Sequence, residues 1–474
     1  MFCFAAVFAG LFLTSSCMKE YTITVQSNNE AWGTVSGSGT YAQGAEIQIS
    51  AIPASGCYFI AWNDNNTDNP RTITVTENAT YIATFSDTPG GGGDDPTVWS
   101  GTISANTTWP DRGLPVDYVI DGYLVIDGNA LLTIEPGVTI MFASISSGID
   151  VGENAGLRMV GTEENPIVLC GPTNNPNNGS WGNINIYSNR ADNQFEYVQF
   201  LRGGSDDSKW RGVVRMGGNA KLSMKHCLID GSLGTGFVAE YSNNTIMAFE
   251  HNTITHCATY PMITESHTDF LDNLSINNTF INNGNNVIYM YGIDLDLTEN
   301  HTLKAMSIPY YFERFDLRGN KTFTIEPGTQ MLFGHEAYIS VNSDVIFVAN
   351  GTESEPIIMS GEADNAPWSG ITFRSTRNGN SISYCQIKGV GVSDSYDNSS
   401  CIYIDTDAKL SLQNNTFGPS QYYGVWIENI NNWGNVTHSG NTFSGCNVAN
   451  VHLYSEGTYN GQEYTAETNL DDLP

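Results

Sequence analysis

Apolar and polar residues alternate with a period of two in short runs along most of the chain. The first runs are YTITV (21–25), AEIQISA (45–51), RTITV (71–75) and TYIATF (80–85). Alternation over four to six residues marks a strand with one buried face. The turn-forming stretches SGSGTYAQGA and NDNNTDNP separate these runs. The alternation stops at SDTPGGGGDDP (86–96), where four glycines with acidic and proline neighbours make a flexible linker. Beyond it the runs shrink to triplets of β-branched or aromatic residues set between Gly, Asn and Asp, and long helical periodicity is missing. The pattern predicts an all-β protein with a small β module over 20–86, a linker over 87–97, a long β domain over 98–456 and a polar, acidic tail over 457–474.

The long domain repeats itself. LLTIEPGVTIMF (131–142) returns as TFTIEPGTQMLF (322–333), GTEENPIVL (161–169) as GTESEPIIM (351–359), and WGNINIYS (181–188) as WSGITFRS (368–375). The echo covers residues 131–257 against 322–446, an internal duplication. A shorter rhythm runs inside each copy. Asn252-Thr253-Ile254 returns as Asn278-Thr279-Phe280, and Asn415-Thr416-Phe417 returns after the same interval as Asn441-Thr442-Phe443. His226-Cys227-Leu228 stands one such interval before the first of these. A period of this size signals a solenoid, and the strand-like triplets make each period one coil of three short strands. Stacked coils place equivalent residues about 4.8 Å apart. A recurring Asn would then form an amide ladder, and the apolar residue two positions on would point into the core.

These features carry two family resemblances. Over 20–86, Gly39, Tyr41, Gly44, Ala51, Pro53, Gly56, Phe59, Trp62 and the closing Phe85 resemble the divergent internalin-type B-repeat of bacterial surface proteins. That resemblance implies a spacer or adhesive unit, with Trp62 in its core. The duplicated segment resembles the right-handed parallel β-helix of the pectate-lyase-like superfamily. More narrowly, its TIEPGV, GT.E.PI and WG.I.I phrases look like the β-helix lipoproteins of gut Bacteroidota. The expected fold is therefore a right-handed parallel β-helix of roughly a dozen coils, preceded by the B-repeat-like module. Lyases, hydrolases, adhesins and inert stalks all use this fold, so it does not select a function.

Residues 1–17 read as an address. FCFAAVFAGLFL (2–13) is an apolar run too short to span a bilayer comfortably, and the small residues TSSC follow it. The stretch resembles a bacterial lipobox, which implies removal of the signal and lipidation of Cys17. The alternative is an ordinary signal peptide with an incidental Cys. Either reading exports the protein. The first puts it on the outer membrane, facing the cell surface, and lets it touch the membrane only through a lipid.

Charge narrows the partners. The formal net charge is −31, with 19 basic against 50 acidic residues. Such a chain repels nucleic acid. It also repels polyuronates, unless a divalent cation such as Ca²⁺ bridges the two. The nine cysteines contain no C-x-x-C pair and offer no zinc or disulfide framework, so most are expected as small buried residues.

The duplication acts as a filter on candidate chemistry, because a feature present in both copies is architectural. Glu135 and Glu326, the turn glycines Gly137 and Gly328, and Trp181 and Trp368 (expected to pack over a turn) fall in this class, and Asp206 corresponds to Asp394. RGGSDDSKWRG (202–212) is the unshared stretch with catalytic potential. There Arg202, Lys209 and Arg211 surround Asp206 and Asp207, the residue types that a β-elimination would use as a base and to neutralise a uronate. Asp294/Asp296 and Asp405/Asp407 each put two carboxylates on one strand face, to bind Ca²⁺ or simply to solvate the coil. His251 and His256 lack further ligands nearby, so no metal site is expected. The second copy holds QYYGVWIENINNWGN (421–435), where Tyr422, Tyr423, Trp426 and Trp433 could stack on sugar faces. Trp426 aligns with Val238 and could equally fill the core. The leading expectation is non-catalytic binding of a glycan or host-surface ligand. The rivals are a polysaccharide lyase or hydrolase working from the Asp206 loop, and a purely structural stalk.

Overall fold

The computed structural model describes residues 19–86 except 56 and 65; residues 96–428 except 241–242, 266–271, 364–366 and 392–399; residues 434–453; and residues 458–459, 462–463 and 470. Two compact units divide the chain, one of Met1–Pro96 with Asp111–Asp117 and one of Thr97–Pro110 with Tyr118–Pro474.

The N-terminal unit is built from the alternating runs. Gly39–Ala42, Glu20–Ser27, Ala79–Ser86 and Tyr58–Trp62 form one sheet in that order, and Gly33–Ser36, Glu46–Pro53 and Arg71–Thr74 form a second. The inward positions of these strands, among them Ile23, Val25, Ile49, Ala51, Trp62, Ile73 and Phe85, make a closed core. Trp62 is a core residue, as expected, and its Nε1 donates to the Asp68 carbonyl at 3.0 Å. Gly44 is needed for its backbone, which has φ +84°.

The second unit is a parallel β-solenoid of about 13 coils. Its first strand, Thr97–Ile103, starts one residue inside the stretch read as linker. Each coil carries up to three strands, so the solenoid has three faces. In the first copy these begin with Leu131–Ile134 on the first face, Thr139–Phe142 on the second and Gly148–Val151 on the third. Their counterparts are Thr322–Ile325, Gln330–Phe333 and Ile339–Val341. Alternate residues point inward: Leu132, Ile134, Ile140 and Phe142 in one copy, Phe323, Ile325, Met331 and Phe333 in the other. One continuous apolar column runs through both copies.

The coils are less uniform than a fixed period implies. On the second face Val168, Gln199, Leu228, Thr253 and Thr279 stack in register, although the chain between successive members of this line varies in length. Extra residues loop out at the corners while the strands stay aligned. Cys227, not His226, therefore lies over Asn252, and its backbone N–H donates to Asn252 Oδ1 at 3.0 Å. The Asn ladder exists, but it is mostly amide to backbone. Asn252 Nδ2 donates to the Met224 carbonyl at 2.9 Å, and Asn441 Nδ2 to the Leu412 carbonyl at 2.9 Å. Asn415 to Asn441, at 3.1 Å, is a direct amide-to-amide bond. Trp181 and Trp368 are also deeper than a turn. Both are fully buried and stack on the Phe of the preceding coil, Phe142 and Phe333. Cys227, Cys257, Cys385 and Cys401 are buried free thiols, as the composition suggested.

The two copies do not join in phase. Ile288–Tyr291, on the third face of the first copy, pairs with Tyr310–Phe312, on the second face of the other. The second copy is therefore turned by one face about the solenoid axis. Among the described residues this is the one ladder that crosses the seam. Leu470, from the acidic tail, is buried in the solenoid core.

Candidate functional site

The outward residues of the third face form a line along the solenoid. In the first copy it runs Val125, Asp150, Asn185, Arg215, Val238, Ile263 and Tyr289. It crosses the seam to Tyr311, Leu332 and Ser360. Val238, Ile263 and Tyr289 face away from the core, yet they are almost wholly buried in a second apolar cluster of their own. Trp210, Tyr260 and Tyr311 pack against them.

Local structure explains the cover. Residues 204–211 connect a second-face strand to a third-face strand and fold back over the outer line. Gly234 lets the loop sit low, because a Cβ there would stand 2.6 to 2.7 Å from the carbonyls of Asp206, Ser208 and Arg211. Thr235 Oγ1 donates to the Lys209 carbonyl at 2.7 Å. Trp210 then meets Tyr289 and Tyr291 edge to face, with centroids 6.3 and 4.8 Å apart. Tyr289 lies 4.9 Å from Tyr260 and stacks on Tyr311 at 5.0 Å across the seam. Tyr291 keeps over a third of its surface exposed.

The polar rim of this group is connected. Lys209 Nζ donates to the Tyr289 hydroxyl at 2.9 Å and stands 3.8 Å from Glu313. It also lies over the rings of Tyr289 and Trp210, at 4.5 and 5.3 Å. Tyr289 in turn donates to Glu313 Oε1. Tyr311 donates to Glu362 Oε2 at 3.3 Å. Burial first, then the Glu313 carboxylate, pushes the pKa of Tyr289 well above the ordinary phenol value. Burial, then Glu362, does the same for Tyr311. Both phenols are held protonated, as donors.

The loop singled out for catalysis therefore supplies Lys209 to this group, together with Trp210, but it is not a self-contained site. Arg211 and Asp206 face each other at 4.0 Å and are half exposed. Asp207 is exposed. Arg202 occupies a left-handed turn with φ 58°, and its Nε is buried without a partner. The counterpart stretch around Asp394 lies outside the described residues. Sequence reasoning missed Tyr260, Tyr289, Tyr291, Tyr311, Glu313 and Glu362. They come from four coils, and their intervals vary too much for the rhythm of the Asn triplets to align them.

The aromatic stretch of the second copy is arranged differently. Trp426 lies on the corresponding outward line, Asp316, Ser340, Thr372, Tyr403, Trp426 and His452. Its counterpart is Val238, as the alignment held, but both point away from the core. Trp426 is nonetheless only 2% exposed. Tyr423 meets it edge to face at 5.4 Å, His452 lies 4.0 Å from it, and its Nε1 donates to Glu428 at 3.2 Å. A ring covered in this way offers no face to a sugar, which corrects the expectation for Trp426. Tyr422 and Tyr423 are half-buried, and Trp433 lies outside the described residues.

One carboxylate of each pair is held by an arginine. Asp294 pairs with Arg314, and Asp405 with Arg374 at 3.6 Å. His251 stacks on His226 at 4.8 Å, and His256 Nδ1 lies 2.8 Å from Asp230. No group of three or more His, Cys, Asp or Glu side chains suited to a metal ion occurs among the described residues.

Comparison with curated proteins and with solved structures gave no significant match. Two family models do match. Residues 23–89 fit the Divergent InlB B-repeat domain, and residues 101–218 fit the Pectate-lyase like beta helix domain. The second match ends inside the first copy, but the same coils continue through the second. The chain thus joins a segment that matches the divergent InlB B-repeat to a β-solenoid whose first part matches the pectate-lyase-like β-helix.

Proposed function

We propose that this is a lipid-anchored cell-surface protein that holds a glycan, without cleaving it, on the outer third face of its β-helix. Both domain types point to a surface-type or carbohydrate-related protein. The observation that carries the finer reading is the group of Trp210, Tyr260, Tyr291 and Tyr311, partly exposed on the outer face around the buried Tyr289. Partly exposed aromatic rings on a rigid sheet stack against sugar faces, and the rim of Lys209, Glu313 and Glu362 can bond hydroxyls. The glycan would belong to a host surface or to a free polysaccharide.

The rim also favours holding over cutting. β-Elimination needs a base free to take a proton beside a neutralised carboxylate. Lys209 acts here as a donor to Tyr289, and the phenols of Tyr289 and Tyr311 are kept protonated. Ca²⁺ bridging of a uronate is a separate condition that the experiment includes.

The test incubates the full chain with a polysaccharide panel, with and without Ca²⁺, and reads chain length by mass spectrometry and affinity by calorimetry. Intact glycans with a measurable affinity are expected. Shortened chains with unsaturated ends would replace this reading by a lyase, and saturated fragments by a hydrolase. An intact panel with no affinity would leave a stalk. The anchor is tested by feeding cells a clickable fatty acid. Label should enter the wild type and be lost in Cys17→Ala, and retention of label in the variant would refute lipidation at that residue.

A further inference from the structure

Four coils before Tyr289, the same outer line is polar. Asn185 stands at its centre. Across the coils it lies between Asp150 and Arg215, and along its own strand between Asn183 and Tyr187, which point outward with it. Its Nδ2 donates to Asp150 Oδ1 at 2.7 Å and to Asn183 Oδ1 at 3.1 Å. These two bonds fix the amide orientation, because both partners are acceptors. Asn185 Oδ1 is left buried without a hydrogen-bond partner, on a side chain that is 7% exposed. A buried acceptor left unmet costs about 1–3 kcal/mol, so the position favours an incoming donor.

Two tyrosines flank it. Tyr123 donates to Asn183 Oδ1 at 2.9 Å, and Arg215 Nη1 donates to the Tyr187 hydroxyl at 3.0 Å. The two residues are 41% and 38% exposed. Each rests against a glycine: a Cβ on Gly148 would stand 2.9 Å from Tyr123, and one on Gly217 would stand 2.8 Å from Tyr187. In the second copy the aligned residues are Tyr338 for Gly148, Asp405 for Gly217, Arg374 for Tyr187 and Thr372 for Asn185. The whole cradle belongs to one copy, as a binding feature would and an architectural one would not.

The charges around it decide the kind of ligand. Arg215 is paired with Glu240, Arg211 with Asp206, and Lys209 with Glu313. Asp150 and Glu362 are held by an amide and a phenol rather than by a cation. Together these carboxylates outnumber the three cations, and each cation already has its carboxylate. Among the described residues, no cation on this line is left over to neutralise a uronate or a sulfate ester, and the surplus charge repels both.

We propose that Asn185, Tyr123 and Tyr187 form a second subsite for an uncharged, hydroxyl-rich sugar residue, so that the ligand of the outer face is a neutral glycan. This rests on the glycan-binding reading and adds the ligand class to it. A sugar hydroxyl donates to Asn185 Oδ1, a neighbouring hydroxyl donates to Asp150, and the tyrosine rings take the apolar sugar faces. Because Oδ1 is covered in the free protein, a neighbouring side chain must move aside as the sugar enters, a motion at the surface.

The experiment measures affinity of the full chain for neutral polysaccharides (mannan, xylan, β-glucan, arabinogalactan) and for acidic ones (polygalacturonate, alginate, chondroitin sulfate). It compares wild type with Tyr187→Ala, Asn185→Leu and Trp210→Ala, each checked for an unchanged circular dichroism spectrum. Tyr187→Ala removes an exposed ring, so it keeps the test alive if Asn185→Leu fails to fold. We expect a neutral glycan to bind and each subsite variant to weaken it by about tenfold. Binding confined to acidic glycans would overturn the inference. So would a neutral glycan lost in Trp210→Ala but held at wild-type affinity by Tyr187→Ala and Asn185→Leu, an outcome that leaves glycan binding itself intact. No binding to any member would remove glycan binding and the subsite together.

Discussion

The two copies of the β-helix agree inside and part company outside. Trp181 stacks on Phe142 at 4.2 Å and donates to the Leu201 carbonyl at 2.9 Å. Trp368 stacks on Phe333 at 4.1 Å and donates to the Lys388 carbonyl at 2.8 Å. Asn193 bonds Ser188, the Arg190 and Lys221 carbonyls and the Leu157 amide, while Asn380 bonds Ser375, the Arg377 and Lys409 carbonyls and the Phe347 amide. On the outer third face the agreement ends. Asp150, Asn185, Arg215 and Val238 of the first copy correspond to Ser340, Thr372, Tyr403 and Trp426 of the second. An inward residue must stack on the coils above and below it, so both copies face the same demand. An outward residue meets only solvent, a loop or a ligand, and each copy has been free to differ. Chemistry should therefore be sought where the copies disagree.

The sharpest way to break this comparison is to remove the shared tryptophans. Trp181→Ala and Trp368→Ala should each cost about 3–5 kcal/mol, by emptying the same stacked site and leaving a carbonyl without its donor. Denaturant unfolding of the full chain checks this. Costs that differ widely between the copies would mean that the interiors are not equivalent. Asn193→Ala and Asn380→Ala come next, at about 1–3 kcal/mol each for the buried backbone groups they leave unmet, and again the two should match.

The same contrast explains what could be read from the sequence. The solenoid was legible because stacking imprints itself on the sequence: TIEPG, GT.E.PI and the Asn triplets recur where coils repeat an environment. The B-repeat module was legible from its turn glycines and its alternation. The one-face turn at the seam was not, since a shift in phase between coils leaves the motifs of each copy unchanged. The aromatic group was not legible either. Lys209, Tyr289, Tyr311 and Glu362 are far apart in the chain, and the outward positions they occupy stack at irregular intervals, with a shorter step from Tyr289 to Tyr311 than from Ile263 to Tyr289. Lys209 stood out by its charge, but nothing nearby in sequence named its partners. Trp426 was misplaced for a related reason. Period-two alternation tells outward from inward, but not an open outward ring from one covered by Tyr423 and His452.

That last distinction is directly testable. Trp210→Ala should weaken glycan binding by about tenfold, a common loss when an aromatic contact is truncated. Trp426→Ala should leave affinity at the wild-type value, because its ring is occluded, while lowering stability. Calorimetry on both variants against one bound glycan decides it. Loss of binding in Trp426→Ala alone would move the site to the second copy and reverse the assignment made from the outer lines.

A smaller difference concerns pH. At the position where the first copy has Ile263, the second has His452, which packs against Trp426 with its Nδ1 buried and unpartnered. Burial lowers its pKa below the ordinary histidine value. The folded state thus prefers neutral His452, and the unfolded chain binds its proton more readily. The stability this contributes is complete above the unfolded pKa, about 6.5, and drains away as the pH falls through the lower folded value. Ile263 has no proton to gain, so the first copy lacks this dependence. Hydrogen exchange, corrected for intrinsic rates, should therefore speed up at Ala449–Leu453 on going from about pH 7.5 to about pH 5, while Met262–Glu265 stays protected. His452→Ile should abolish the acid response of the last coil. If the variant opens in acid as readily as the wild type, the response belongs to other groups at that end of the solenoid, and the two outer lines do not differ in this respect.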